Sequence, residues 1–149
     1  MSLTTNAEIS RRVFEDGLNL RDRAVFEELV APDYVNHENG DMLVDATGPQ
    51  DWSEVLARLS ASFPDISWRV RRTLAQDDHV WLETTMSGTH EGAFFGLAPT
   101  GRRFEVRQVH MLRLQGGQIQ EHWAVRDDLG VMIQLGAIEA PTPSRARHA

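Results

Sequence analysis

The chain has 149 residues, 41% of them apolar and 25% charged; these are the proportions of one globular domain, and no apolar run approaches the roughly 20 residues that span a bilayer. It has no cysteine, and all 15 of its basic residues are arginine, which excludes disulfides, thiolate nucleophiles and lysine Schiff bases. A net charge of −7 and the absence of a Gly-rich phosphate loop argue against nucleic acid, acidic membranes and nucleotides as partners. The N-terminus lacks a signal-peptide pattern, which predicts a cytoplasmic protein.

Thr5 and Glu8 form a T-x-x-E capping box, followed by Ile9, Val13, Phe14 and Leu18 at helical spacing. Asn19 to Asp22 breaks this pattern, with Asp22 a candidate N-cap, and Val25, Phe26, Leu29 and Val30 carry a second helix up to Pro32. Residues 32–37 read as a short extended segment and Glu38–Thr47 as a polar loop. A third helix is expected from Gly48-Pro49, with proline at its first position and Trp52, Val55, Leu56, Leu59 and Phe63 on its apolar face.

Beyond Pro64 the period changes to two. Ile66, Trp68 and Val70 alternate with polar residues, as do Val80, Leu82, Thr84 and Met86 after the turn at Gln76-Asp77-Asp78. Gly88–Gly101 is an irregular excursion. Two long strands, about 103–114 and 118–126, meet at Gly116-Gly117, and Asp127 or Asp128 caps a short last helix through Leu129, Val131, Met132 and Leu135. The layout predicts an α+β fold: three N-terminal helices packed on a curved antiparallel sheet that closes around them as a cone-shaped barrel and encloses a pocket. A single domain over 1–140 with a disordered tail over 141–149 is expected.

The last hairpin carries the candidate site. Val106, Gln108, His110 and Leu112 share one strand face. A three-residue turn pairs Leu114 with Gln118 and hence His110 with His122, whereas a two-residue Gly-Gly turn sets His110 beside Trp123. The opposite face would hold Val109, Met111, Ile119, Trp123 and Val125, too apolar for water, which suggests a homodimer through the outer sheet face.

Pro32-Asp33-Tyr34-Val35-Asn36, the segment from Phe94 to Phe104, Gln108-Val109-His110 and Gln134-Leu135-Gly136 together resemble the SnoaL-like polyketide cyclases, the ester cyclases within the nuclear transport factor 2-like superfamily. The resemblance runs from about Glu8 to Gly136. It implies a deep apolar pocket, oligomeric assembly, no cofactor, and the register that pairs His110 with His122. It also implies an intramolecular aldol condensation that closes the last ring of a polyketide methyl ester. The matching residues are Asn36, Gln108, His110 and His122. The family's catalytic aspartate, two residues after the second histidine, is Ala124 in this chain.

The candidates are therefore His110 and His122 as catalytic groups, with Asn36, Gln108, Trp52, Leu56, Phe63 and Ala124 around the substrate. No metal is expected, because no H-x-H or H-x-x-x-H pair exists. The leading expectation is a cofactor-independent cyclase or isomerase that acts on a small carbonyl compound by histidine acid/base chemistry. A hydrolase or hydroxylation component in the same pocket and a non-catalytic small-molecule-binding protein are the alternatives.

Overall fold

The computed structural model describes residues 3–38 and 47–143. Helix α1 (Leu3–Arg12) runs into a π-helical segment (Val13–Asn19), followed by α2 (Arg23–Leu29), strand β1 (Val30–Asn36) and α3 (Pro49–Ser62). Strands β2 (Ser67–Gln76), β3 (His79–Thr89), β4 (Arg103–Gln115) and β5 (Gln118–Arg126) and the short α4 (Asp128–Gln134) complete the chain. The fold is α+β, as the residue pattern predicts: helices pack on a curved, open five-stranded sheet of order β1-β5-β4-β3-β2. Most of the 38–47 loop and the tail from residue 144 lie outside the described residues.

Several local expectations need correction. Residues 3 and 4 are already helical, so Thr5 and Glu8 lie inside α1 instead of capping it. The first helix also runs on through Asn19 as a π-segment. Asn19 then serves the edge strand β2: its amide donates to Trp68 O at 2.7 Å and accepts from Trp68 N at 2.8 Å, pairing backbone groups that an edge strand leaves open. Gly17 in the π-segment allows a close approach, since a Cβ there would sit 2.5 Å from the Phe26 ring.

Asp22 does cap α2 through Ala24 N. That helix ends at Leu29, because Val30 is already extended and pairs with Ile119. Strand β1 runs parallel to β5, so the sheet is mixed instead of purely antiparallel. The four later strands form the expected antiparallel meander, with β3 continuing to Thr89 opposite Arg103. Helix α3 starts at Pro49, its N-cap Gly48 in the left-handed region. Asp127 caps α4, and Gln134 fastens that helix to both main-chain groups of Glu105.

The core lies between the inner sheet face and the helices and includes Phe14, Phe26, Phe63, Leu82, Phe104, Leu112 and Ile119, all fully buried. Ile119 was expected on the outer face. It faces inward because a two-residue turn pairs it with the buried Leu114; a bulge follows, since Arg113 pairs with Glu121 and Gln120 is left as an extra residue. Buried positions in β5 are accordingly three apart, at Ile119 and His122. The remaining outer face is open: Val125 is 66% and Trp81 51% exposed, and Trp123 stacks on the His37 ring.

Candidate functional site

The bulge decides the site. Gln115 pairs with Gln118 across a two-residue Gly116-Gly117 turn, a turn that alone would set His110 beside Trp123. The extra residue shifts the parity back, so His110 pairs with Ala124 and Leu112 with His122. The expected direct His110–His122 pairing is thus incorrect, yet both histidines face inward as diagonal neighbours. Their rings stack 5.2 Å apart, and His110 Nδ1 lies 2.9 Å from His122 Nε2.

This chain of groups fixes the tautomers of two neutral rings. Gln108 donates its amide N–H to the Met86 sulfur, and its Oε1 accepts from His110 Nε2 at 3.0 Å. His110 Nε2 therefore carries the hydrogen, its Nδ1 accepts, and His122 Nε2 donates. One ring nitrogen is left over, His122 Nδ1, which has no partner among the described residues. Phe14 packs on His110 at 4.8 Å and Trp52 on His122 at 5.2 Å. Burial, the neighbouring imidazole and Arg126 hold His110 well below the ordinary histidine range. Burial first, then Arg126 and His37, push His122 down to about 3. Both rings are neutral at pH 7.

The facing wall comes from β1 and α3. The parallel pairing sets Asn36 opposite His122. Asn36 accepts from Glu38 N and donates to Asp51 Oδ2, each at 3.0 Å, so it caps the turn after β1 and also anchors a carboxylate. Asp51 is 3% exposed, and burial raises its pKa. Glu38 also sits above the ordinary carboxylate range through burial, opposed by its 2.8 Å ion pair with Arg126. Tyr34 Oη and Trp52 Nε1 are buried with no hydrogen-bond partner, although Tyr34 lies close to Asp51 and Trp52.

These groups line a cavity of about 80 Å³ together with Phe14, Leu18, Val55, Leu59, Trp68 and Met86. Small-molecule sites span roughly 300–1,000 Å³, so a multi-ring ligand needs side chains to swing aside. Val55 and Leu59 also line a second cavity of about 310 Å³, bounded by Arg58, Ser62, Phe94 and Phe95. They form the partition between the two spaces.

Of the residues singled out from the sequence, Asn36, Trp52, Gln108, His110 and His122 line the first cavity. Leu56 and Phe63 do not: both are buried in the core, Phe63 against Phe94 and Phe104. Ala124 pairs with His110 at the rim, its backbone N–H directed to Glu38, and its side chain is not part of the lining. Tyr34, Glu38, Asp51 and Arg126 went unrecognised. For Asp51 a signal existed, because it stands four residues before Val55 and eight before Leu59 on the same helix face. Arg126 also had a signal, standing four residues after His122 on the same strand face, whereas Glu38 follows the end of β1 and no period marks it.

Among the described residues no group of three or more His, Asp or Glu side chains is arranged to hold a metal ion, and no helix is long and apolar enough to cross a membrane.

A family model described as SnoaL-like polyketide cyclase matches residues 8–135. The nogalonic acid methyl ester cyclase of Streptomyces nogalater is 30% identical over 112 residues, 74% of this chain and 82% of that protein. The aklanonic acid methyl ester cyclase DnrD of Streptomyces peucetius is 26% identical over 143 residues, 95% of this chain and 97% of that protein. Among solved structures, IdmH of Streptomyces antibioticus superposes with a TM-score of 0.78 at 31% identity, covering 88% of this chain and 98% of its own.

Proposed function

The chain belongs to the SnoaL-like polyketide cyclase family, and from that premise we propose that it is a cofactor-independent cyclase-type enzyme acting on a small carbonyl-bearing aromatic or polyketide substrate. The reaction is ring closure by carbon–carbon bond formation: a proton leaves a carbon beside one carbonyl, and that carbon attacks a second carbonyl. The observation that carries this reading is His122 Nδ1, a bare lone pair in the wall of an otherwise aromatic and aliphatic cavity. A neutral imidazole with a free nitrogen can take a proton from carbon.

His110 has both nitrogens engaged, so its part is to position His122 and to share the charge when His122 is protonated. Gln108 fixes the tautomer of His110 in turn. A two- or three-ring substrate fits when Val55 and Leu59 move and the two cavities join. A homodimer through the outer face of β3–β5 belongs to the same proposal: a second copy would cover Trp81, Trp123 and Val125, and the mixed charges of Arg113 and Glu121 beside them suit self-association.

Ala124 favours a second reading, a binding protein that retains the pocket without the chemistry, because alanine cannot move a proton. One experiment separates the two: incubation with nogalonic and aklanonic acid methyl esters, followed by chromatography. Ring-closed product from the wild type, with turnover reduced about 10²-fold or more in His122→Ala, supports the enzyme. Tight binding with recovery of unchanged ester supports the binding protein. Turnover that survives His122→Ala rejects the role given to His122.

A further inference from the structure

Ring closure requires a second proton transfer, onto the carbonyl oxygen that becomes an alkoxide. Ala124, two residues after His122, cannot supply it. Asp51 lines the cavity on the opposite wall. It is buried, its Oδ2 is held by Asn36 at 3.0 Å, and no cation pairs with it among the described residues. Glu38, the other carboxylate of the cavity, is tied to Arg126 at 2.8 Å. A buried carboxylate without a cation costs stability unless it is protonated, and its persistence in a cavity wall marks a functional group.

We propose that Asp51 is the acid of this site: its carboxyl, anchored on Asn36 beside the unpartnered Tyr34 hydroxyl, delivers a proton to the substrate oxygen as the ring closes. The inference rests on the cyclase-type reading above. His122 Nδ1 takes the proton from carbon, the enolate carbon bonds to the second carbonyl carbon, and the oxygen of that carbonyl takes the proton of Asp51. The Asp51 carboxylate regains a proton from the His122 imidazolium through solvent. Atoms and electrons balance as an isomerisation, without oxidant or reductant. The Tyr34 hydroxyl, buried beside Asp51 and Trp52, is placed to steady the Asp51 carboxyl.

The opposed environments agree with this division. Burial pushes His122 down and Asp51 up, the separation that assigns a base and an acid. The groups facing Asp51 are Asn36 and Tyr34 from β1 and Glu54 from α3, with Glu38 beyond Tyr34; the Asn36 amide and the Tyr34 hydroxyl oppose the effect of burial, and Glu54 adds to it. An apolar ligand that expels water strengthens the burial effect.

The test compares wild type with Asp51→Asn over a range of pH, using aklanonic acid methyl ester. A fall in kcat of about 10²-fold or more, little change in KM and loss of the alkaline limb of the profile are expected. Asp51→Asn keeps the shape of the side chain and an oxygen for the Asn36 amide, so it should melt near the wild-type temperature at pH 7, and the loss of turnover is not unfolding. If it does not fold, Asp51→Glu should keep the alkaline limb at reduced kcat; a missing limb overturns the proposal. Asp51→Asn with wild-type kcat and profile overturns the role of Asp51 and leaves the cyclase reading standing. If wild type closes no ring, that reading fails, and Asp51 is judged by deuterium exchange into 2-tetralone. Exchange slowed by Asp51→Asn upholds the acid; equal rates or no exchange overturn it.

Discussion

The two walls of the cavity are built in different ways. The histidine wall comes from one hairpin, in which strand alternation sends Gln108, His110 and Leu112 inward together and a local hydrogen-bond chain fixes each ring. The carboxylate wall is assembled from β1 and the first turn of α3, elements joined by a loop and brought together by the parallel pairing of β1 with β5. The first wall is neutral and paired throughout except at His122 Nδ1. The second holds Asp51 without a cation and two unpartnered donors, Tyr34 Oη and Trp52 Nε1. Groups left unsatisfied in a folded chain cost stability, so the second wall is where a ligand has most to contribute.

The largest effect is expected from removing the device that orients the first wall. Insertion of one alanine between Glu121 and His122 offsets the bulge and reverses the parity of β5 beyond it, turning His122 outward and Trp123 into the core. Loss of a cooperative unfolding transition, followed by tryptophan fluorescence in urea, is the expected result; retention of wild-type stability would show that the bulge can move along the strand.

A smaller, graded effect sharpens the contrast in protonation. Both histidines sit below 6.5 in the folded chain, so between that value and their folded pKa the unfolded chain binds more protons. Their contribution is complete above about pH 6.5 and is lost as pH falls, with a limiting slope of about 1.4 kcal/mol per pH unit for each ring. Asp51 has the opposite sign: its raised pKa makes its carboxylate a cost that disappears on acidification. Denaturant titrations from pH 7 to 5 should show the loss, and His110→Gln with His122→Gln should flatten it. An unchanged slope in the double variant would mean that the rings titrate normally.

The smallest effect concerns the outer face. Val125→Arg places a charge at a position already 66% exposed, so the stability of the isolated chain should change by less than about 0.5 kcal/mol. Sedimentation should nevertheless show a shift from dimer to monomer; the same mass for both proteins would remove the outer face as an interface.

Much of the fold was legible. Helical spacing found α2 and α3, alternation found β2 to β5, and Asp22, Asp127 and Pro49 mark helix starts where expected. These signals are local, since a cap or a strand period depends on neighbours within a few residues. The site was legible to the same depth: Gln108 and His110 follow from alternation. His122 was placed on the correct face through the wrong register, because a turn of different length and an unseen bulge offset each other.

What the sequence determined by itself is the identity of the elements and the chemical stock of the pocket: histidines, amides, aromatics, no thiol and no amine. What only the tertiary structure decided is which groups meet. The bulge at Gln120, the parallel crossing of β1 onto β5 and the burial of Asp51 beside Asn36 all depend on contacts between segments distant in the chain. No local period records such contacts, because their free energy comes from packing and desolvation that exist only once the sheet and helices have closed on each other.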